Sequence, residues 1–109
     1  MTELAKKQCV PCAAGADPIT EEEIRPYLKD IHEAWNVVDN KKIEREFSFD
    51  DFQSALDFTN KVGAIAEEEG HHPVLITSWG RVLVRLTTHK IDGLHENDFI
   101  LAAKVDEIA

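Results

Sequence analysis

Residues 50–70 read DDFQSALDFTNKVGAIAEEEG, and the fold turns on this stretch. Asp50 and Gln53 have the spacing of a capping box, and Phe52, Ala55, Leu56, Thr59, Val62 and Ala66 recur at i, i+3, i+4, i+7. That period predicts a long helix with one apolar stripe suited to packing on a sheet. Gly70 stands where a left-handed C-terminal cap belongs.

A hairpin lies on each side. Upstream, Trp35 to Val38 and Ile43 to Phe49 flank Asp39-Asn40-Lys41-Lys42. Ile43, Phe47 and Phe49 share one face and Glu44, Glu46 and Ser48 the other, with Arg45 interrupting the apolar side. Downstream, Val74 to Trp79 and Arg81 to Thr88 flank Gly80 and alternate in the same way. Farther out, Thr20 and Glu23 form a second capping-box pair ahead of Ile24, Leu28 and Ile31, which predicts a helix over 20–31 that Pro26 kinks or shortens. His95 to Asp98 open a last helix in which Phe99, Ala102, Ala103 and Asp106 leave a narrow apolar side. The order α-β-β-α-β-β-α predicts an α+β fold, a four-stranded antiparallel sheet with three helices packed on one face. Residues 1–18, with Pro11, Gly15 and Pro18, read as a flexible N-terminal arm, leaving 19–109 as a single domain.

The chain of 109 residues carries a formal charge of −9, from 21 acidic against 12 basic side chains. That balance disfavours direct binding to a nucleic-acid backbone. No run approaches the roughly 20 apolar residues of a membrane span. The N-terminus has no apolar stretch of signal-peptide length, so a soluble cytoplasmic protein is expected. Cys9 and Cys12 supply only half of a four-ligand zinc site and lack the βαβ context of a redox pair, so they read as reduced thiols.

The helix end itself, EEEGHHP at 67–73, is the chemical feature. Three acids closing an exposed helix are ordinarily a solvated face, and one histidine there is ordinarily matched to the helix dipole. Here Glu67 stands at i, i+4 from His71, and Pro73 biases His72 toward extended backbone, so the two imidazoles should diverge. No HxH, HxxxH or HExxH pair places two ligands on one face, which argues against a metal. His32 reads as an exposed helix residue, and His95 with Asp98 as a helix cap.

Taken together, Glu67-x3-His71-His72-Pro73, Trp79, His89 and Asp98 resemble the signature of the pterin-4a-carbinolamine dehydratases. The likeness extends from about residue 20 to the end, through Trp35-Asn36, Phe52, Ala55, Phe58 and Gly93-Leu94, while CVPC and WGRV look like the bacterial branch. The resemblance implies the same α+β fold and assembly into homodimers or homotetramers. It also implies dehydration of a 4a-hydroxytetrahydropterin to quinonoid dihydropterin, recycling the pterin of an aromatic amino acid hydroxylase. His71, His72 and His89 would be catalytic, and Glu67, Pro73, Trp35, Thr88 and Asp98 would bind or support the substrate. Within that set, His72 is expected as base, His71 or His89 as acid, and Glu67 as the residue orienting His71. No cofactor is expected, because the pterin is the substrate. Animal members of the family also serve as a dimerisation cofactor of a homeodomain transcription factor, so a protein-binding module competes with the enzyme. Action on another pterin, related to the molybdenum cofactor or to folate, is a third reading.

Overall fold

Residues 52–69 are helical in the computed structural model, which describes residues 3–11 and 15–109. Cys12 therefore lies outside the described residues. The cap falls on Asp51 rather than Asp50: Asp51 is extended, and its Oδ1 accepts the Ser54 N–H at 2.7 Å. Gln53 instead donates to Asp57, one helical turn on. Gly70 closes the helix in the left-handed region at φ +67°, which a residue without Cβ enters at no steric cost.

In chain order the elements are α1 (Glu3–Lys6), α2 (Glu21–Leu28), β1 (Asn36–Val38), β2 (Lys42–Ser48), α3 (Phe52–Glu69), β3 (Val74–Ser78), β4 (Arg81–Leu86) and α4 (Glu96–Ile108), with a 3-10 turn over His89–Ile91. The predicted α-β-β-α-β-β-α order is present from α2 onward, preceded by the short α1. The Thr20–Glu23 capping box forms in both directions, and α2 ends at Leu28, two residues past Pro26.

The four strands make one antiparallel sheet in the order β1-β2-β4-β3. The β2–β4 register places Ile43 against Leu86, Arg45 against Val84 and Phe47 against Val82 on the core side. Glu44 opposite Arg85 falls on the outer side, where the two side chains pair at 2.9 Å. The helical side is dry: Ile43, Val82, Val84 and Leu86 are fully buried, as are Ala55 and Val62 of α3. Thr59 of α3 and Thr77 of β3 join hydroxyls at 2.6 Å, locking helix to sheet. Arg45 does not break the apolar face, because its guanidinium lies 4.3 Å above the Phe47 ring and pairs with Asp106.

The narrow apolar side expected of α4 is overturned. Asn97 to Ala103 and Val105 are all buried, so α4 is covered nearly all round. The reason lies outside its own periodicity: α3 packs along it, and α1 covers it from another side with Leu4 and Ala5, both buried. The first part of the segment read as an arm is thus packed on α4. Ile19 N–H also bonds Leu94 O at 2.9 Å, tying the entry to α2 to the approach to α4.

Phe99, fully buried and stacked on Tyr27 at 4.8 Å between ring centroids, joins α2 to α4. Phe99→Ala is expected to cost about 3–5 kcal/mol of stability, measured by urea denaturation. A loss under about 1 kcal/mol would mean that α4 is not packed as described.

Candidate active site

The first turn of α4 organises the site. Asp98 Oδ2 accepts the backbone N–H of His95 at 3.0 Å, and His95 Nδ1 accepts the Asn97 N–H at 3.0 Å, so the expected cap is formed with an imidazole as N-cap. Asp98 is wholly buried. The same Oδ2 takes the hydroxyl proton of Thr88 at 2.8 Å, and Oδ1 lies 2.6 Å from His71 Nε2. One carboxylate therefore joins the start of α4, the segment following β4, and the histidine that follows α3.

Gly70 decides which histidine arrives there. Its left-handed backbone turns the chain so that His71, with a side chain only 14% exposed, points at Asp98, whereas His72 is 61% exposed. His72 Nε2 lies 2.7 Å from Glu67 Oε1. The two imidazoles diverge as expected, but the partner of Glu67 is His72 and not His71, because the turn has already committed His71 to α4.

His71, His72, Thr88 and His89 line one cleft of ≈ 430 Å³, within the size range of small-molecule sites. His89, exposed, comes from the 3-10 turn after β4. Glu67 and Pro73 lie instead along a neighbouring groove between α3 and β3, which His72 also borders. Trp35 is not brought to the cleft. It is buried edge-on to Phe47 and donates its indole N–H to Asp106 at 2.8 Å, near the opposite end of α4.

Three contributors escaped the sequence reading. Asn97, 3% exposed, borders the cleft next to Asp98; Glu69, its side chain 8% exposed, does so from α3; and Cys9 to Pro11 complete a wall. None of these stood out in the sequence: Asn97 lies between Glu96 and Asp98 in a polar first turn.

Opposite an ionised Asp98, which can only accept, His71 Nε2 would donate and Nδ1 would be the acceptor of a neutral ring. The cleft thus holds one imidazole bonded to a buried carboxylate and two that are exposed to solvent. Among the described residues, no three His, Cys, Asp or Glu side chains group so as to hold a metal ion. None of the described helices is long and apolar enough to cross a membrane.

Comparison with known proteins bears on the family. Residues 17–108 match the family model described as Pterin 4 alpha carbinolamine dehydratase. A relative from Alkaliphilus metalliredigens named "putative pterin-4-alpha-carbinolamine dehydratase" is 50% identical over 107 residues, covering 98% of this chain and 96% of its own length. One of the same name from Chlorobaculum tepidum is 50% identical over 111 residues, covering 99% of each. Among solved structures, a "transcriptional coactivator/pterin dehydratase" from Brucella melitensis matches with TM-score 0.78 at 35% identity, over 85% of this chain and 99% of that one. A "pterin dehydratase-like protein" identified as a RuBisCO assembly factor shares the fold, with TM-score 0.60 at 24% identity over 72% of this chain.

Asp98→Ala would strand three partners, the buried Thr88 hydroxyl among them, and we expect it to lower stability by roughly 3–5 kcal/mol in urea titration. A neutral result would refute the hub. Cys9 offers a test of the wall: burial, and next the charge of Glu69, push its thiol up to about 12. At pH 8 its alkylation by iodoacetamide, mapped by mass spectrometry, should be at least ~100-fold slower than in the urea-unfolded chain. Equal rates would show the segment to be open.

Proposed function

The chain belongs to the pterin-4a-carbinolamine dehydratase family, and we propose that it catalyses the dehydration of a 4a-hydroxytetrahydropterin to quinonoid dihydropterin and water. The observation that carries this reading is the His71–Asp98 pair beside His72, His89 and Thr88 in one cleft. In this reaction the C4a–O bond breaks and its electron pair leaves with the hydroxyl, which takes a proton from a general acid. The proton of the adjacent ring N–H goes to a general base as the carbon–nitrogen double bond forms. Charge and atoms balance with two proton-transfer groups, and the reading needs no cofactor.

Geometry favours a different division of labour from the one expected from sequence. With Nε2–H held by Asp98, His71 is preorganised to accept at Nδ1 and is assigned as base. His72 and His89, exposed to solvent, can be reprotonated between turnovers and are assigned to the acid side. Glu67, bonded to His72 Nε2, orients that ring. The product would return to an aromatic amino acid hydroxylase through a reductase, as the family resemblance implies.

A second reading, a protein-binding role, is favoured by the Brucella relative's description as a coactivator as well as a dehydratase. It has no use for the histidine cleft. The deciding assay is dehydration of enzymatically generated 4a-hydroxytetrahydropterin. His71→Ala, His72→Ala and His89→Ala are each expected to lower turnover by at least ~100-fold, with the two exposed variants melting like wild type. Full turnover in these variants would remove the catalytic assignment. A folded wild type that gives no acceleration would move the weight to the binding role.

A further inference from the structure

Cys9, Val10 and Pro11 border the histidine cleft, yet they come from outside the matched family segment, which begins at residue 17. They are fastened by directed hydrogen bonds. Asn97 Oδ1 accepts the Val10 N–H at 3.0 Å, and Asn97 Nδ2 donates to Val10 O at 2.6 Å, so one buried amide brackets a single residue in the manner of a neighbouring strand. Glu69 Oε1 accepts the Cys9 N–H at 2.8 Å, and the Cys9 thiol lies 3.6 Å from Asn97 O. Behind them Lys104 pairs with Glu69 and donates to Ala5 O at 2.8 Å.

Anchoring of the N-terminal segment to the core falls to Leu4 and Ala5, which are buried. Val10 is 57% exposed, an apolar side chain at the rim of a cleft, on backbone fixed from both sides. Burial of the segment does not account for that arrangement. A flat heterocyclic substrate would cover Val10, and a preset wall loses little ordering entropy when it does so.

We propose that residues 9–11 form a substrate-selecting wall of the cleft, with Val10 and Pro11 in apolar contact with the bound pterin and Asn97 as the residue that positions them. The proposal rests on the dehydratase reading. Asn97 spends its side-chain amide on Val10 and sits one residue from Asp98, so the first turn of α4 sets both the base and the wall opposite. The wall offers binding common to substrate and transition state, which affects KM and not kcat.

Two variants of the full chain test this. Asn97→Ala removes the bracket from the helix side. Val10→Pro deletes the N–H donated to Asn97 on an exposed residue, and it decides the matter if the buried substitution fails to fold. Each is measured for kcat and KM with 4a-hydroxytetrahydropterin, and for Kd with 7,8-dihydrobiopterin by fluorescence quenching. Expected is a rise of at least ~5-fold in KM and Kd with kcat within about 2-fold of wild type. Unchanged KM in Val10→Pro, with wild type active, would overturn the wall and leave the dehydratase intact. A fall in kcat at constant KM would also overturn it. A wild type that neither binds nor turns over pterin would overturn both.

Discussion

The carboxylate of Asp98 is taken wholly out of water, and the surrounding structure is arranged to make that tolerable. An isolated buried carboxylate would cost several kcal/mol, so its oxygens must be satisfied by the protein. They are, by the backbone of His95, the hydroxyl of Thr88 and the imidazole of His71. The positive end of α4 adds a favourable field without any nearby lysine or arginine bonded to it. The requirement that makes Asp98 a helix cap therefore also aims His71, and the site inherits its precision from secondary structure and not from loop conformation.

What sequence made legible were features set within a few residues. Both hairpins and the Thr20–Glu23 and His95–Asp98 caps depend on local spacing, and each is present, as is the α3 stripe through Ala55, Val62 and Ala66, although Phe52 at its start is 46% exposed and Phe58 is buried instead. The misplaced cap at Asp50 is an error of one residue between two adjacent aspartates that only the backbone conformation separates. Glu67 was paired with the wrong histidine for a related reason: i, i+4 reasoning assumes that the helix continues, whereas Gly70 ends it and redirects the next side chain. The burial of α4 was invisible for a different reason. A helix covered from two sides has no single polar face to betray its orientation, and the residues that cover it lie far away in the chain.

Residues 9–11 belong to that second class. Nothing in their composition distinguishes a loose tail from a clamped one, since the clamp is Asn97 and Glu69, which lie some 60 to 90 positions downstream. Prolines and small residues made the segment read as flexible, and the same residues suit an extended strip held by its backbone.

A comparison of the two ends of α4 shows why Trp35 stays away from the cleft. Asp106, in the last turns of the helix, sits where the dipole disfavours an anion. It is accordingly held by a cation, Arg45 Nη1 at 2.7 Å, together with the Trp35 indole and the His32 N–H. Asp98, at the favourable end, manages with neutral donors and a histidine. The helix direction thus sorts its two aspartates into a structural anchor that consumes an arginine and a tryptophan, and a site anchor that holds an imidazole. The constraint on the cleft is consequently one of polarity as much as of shape.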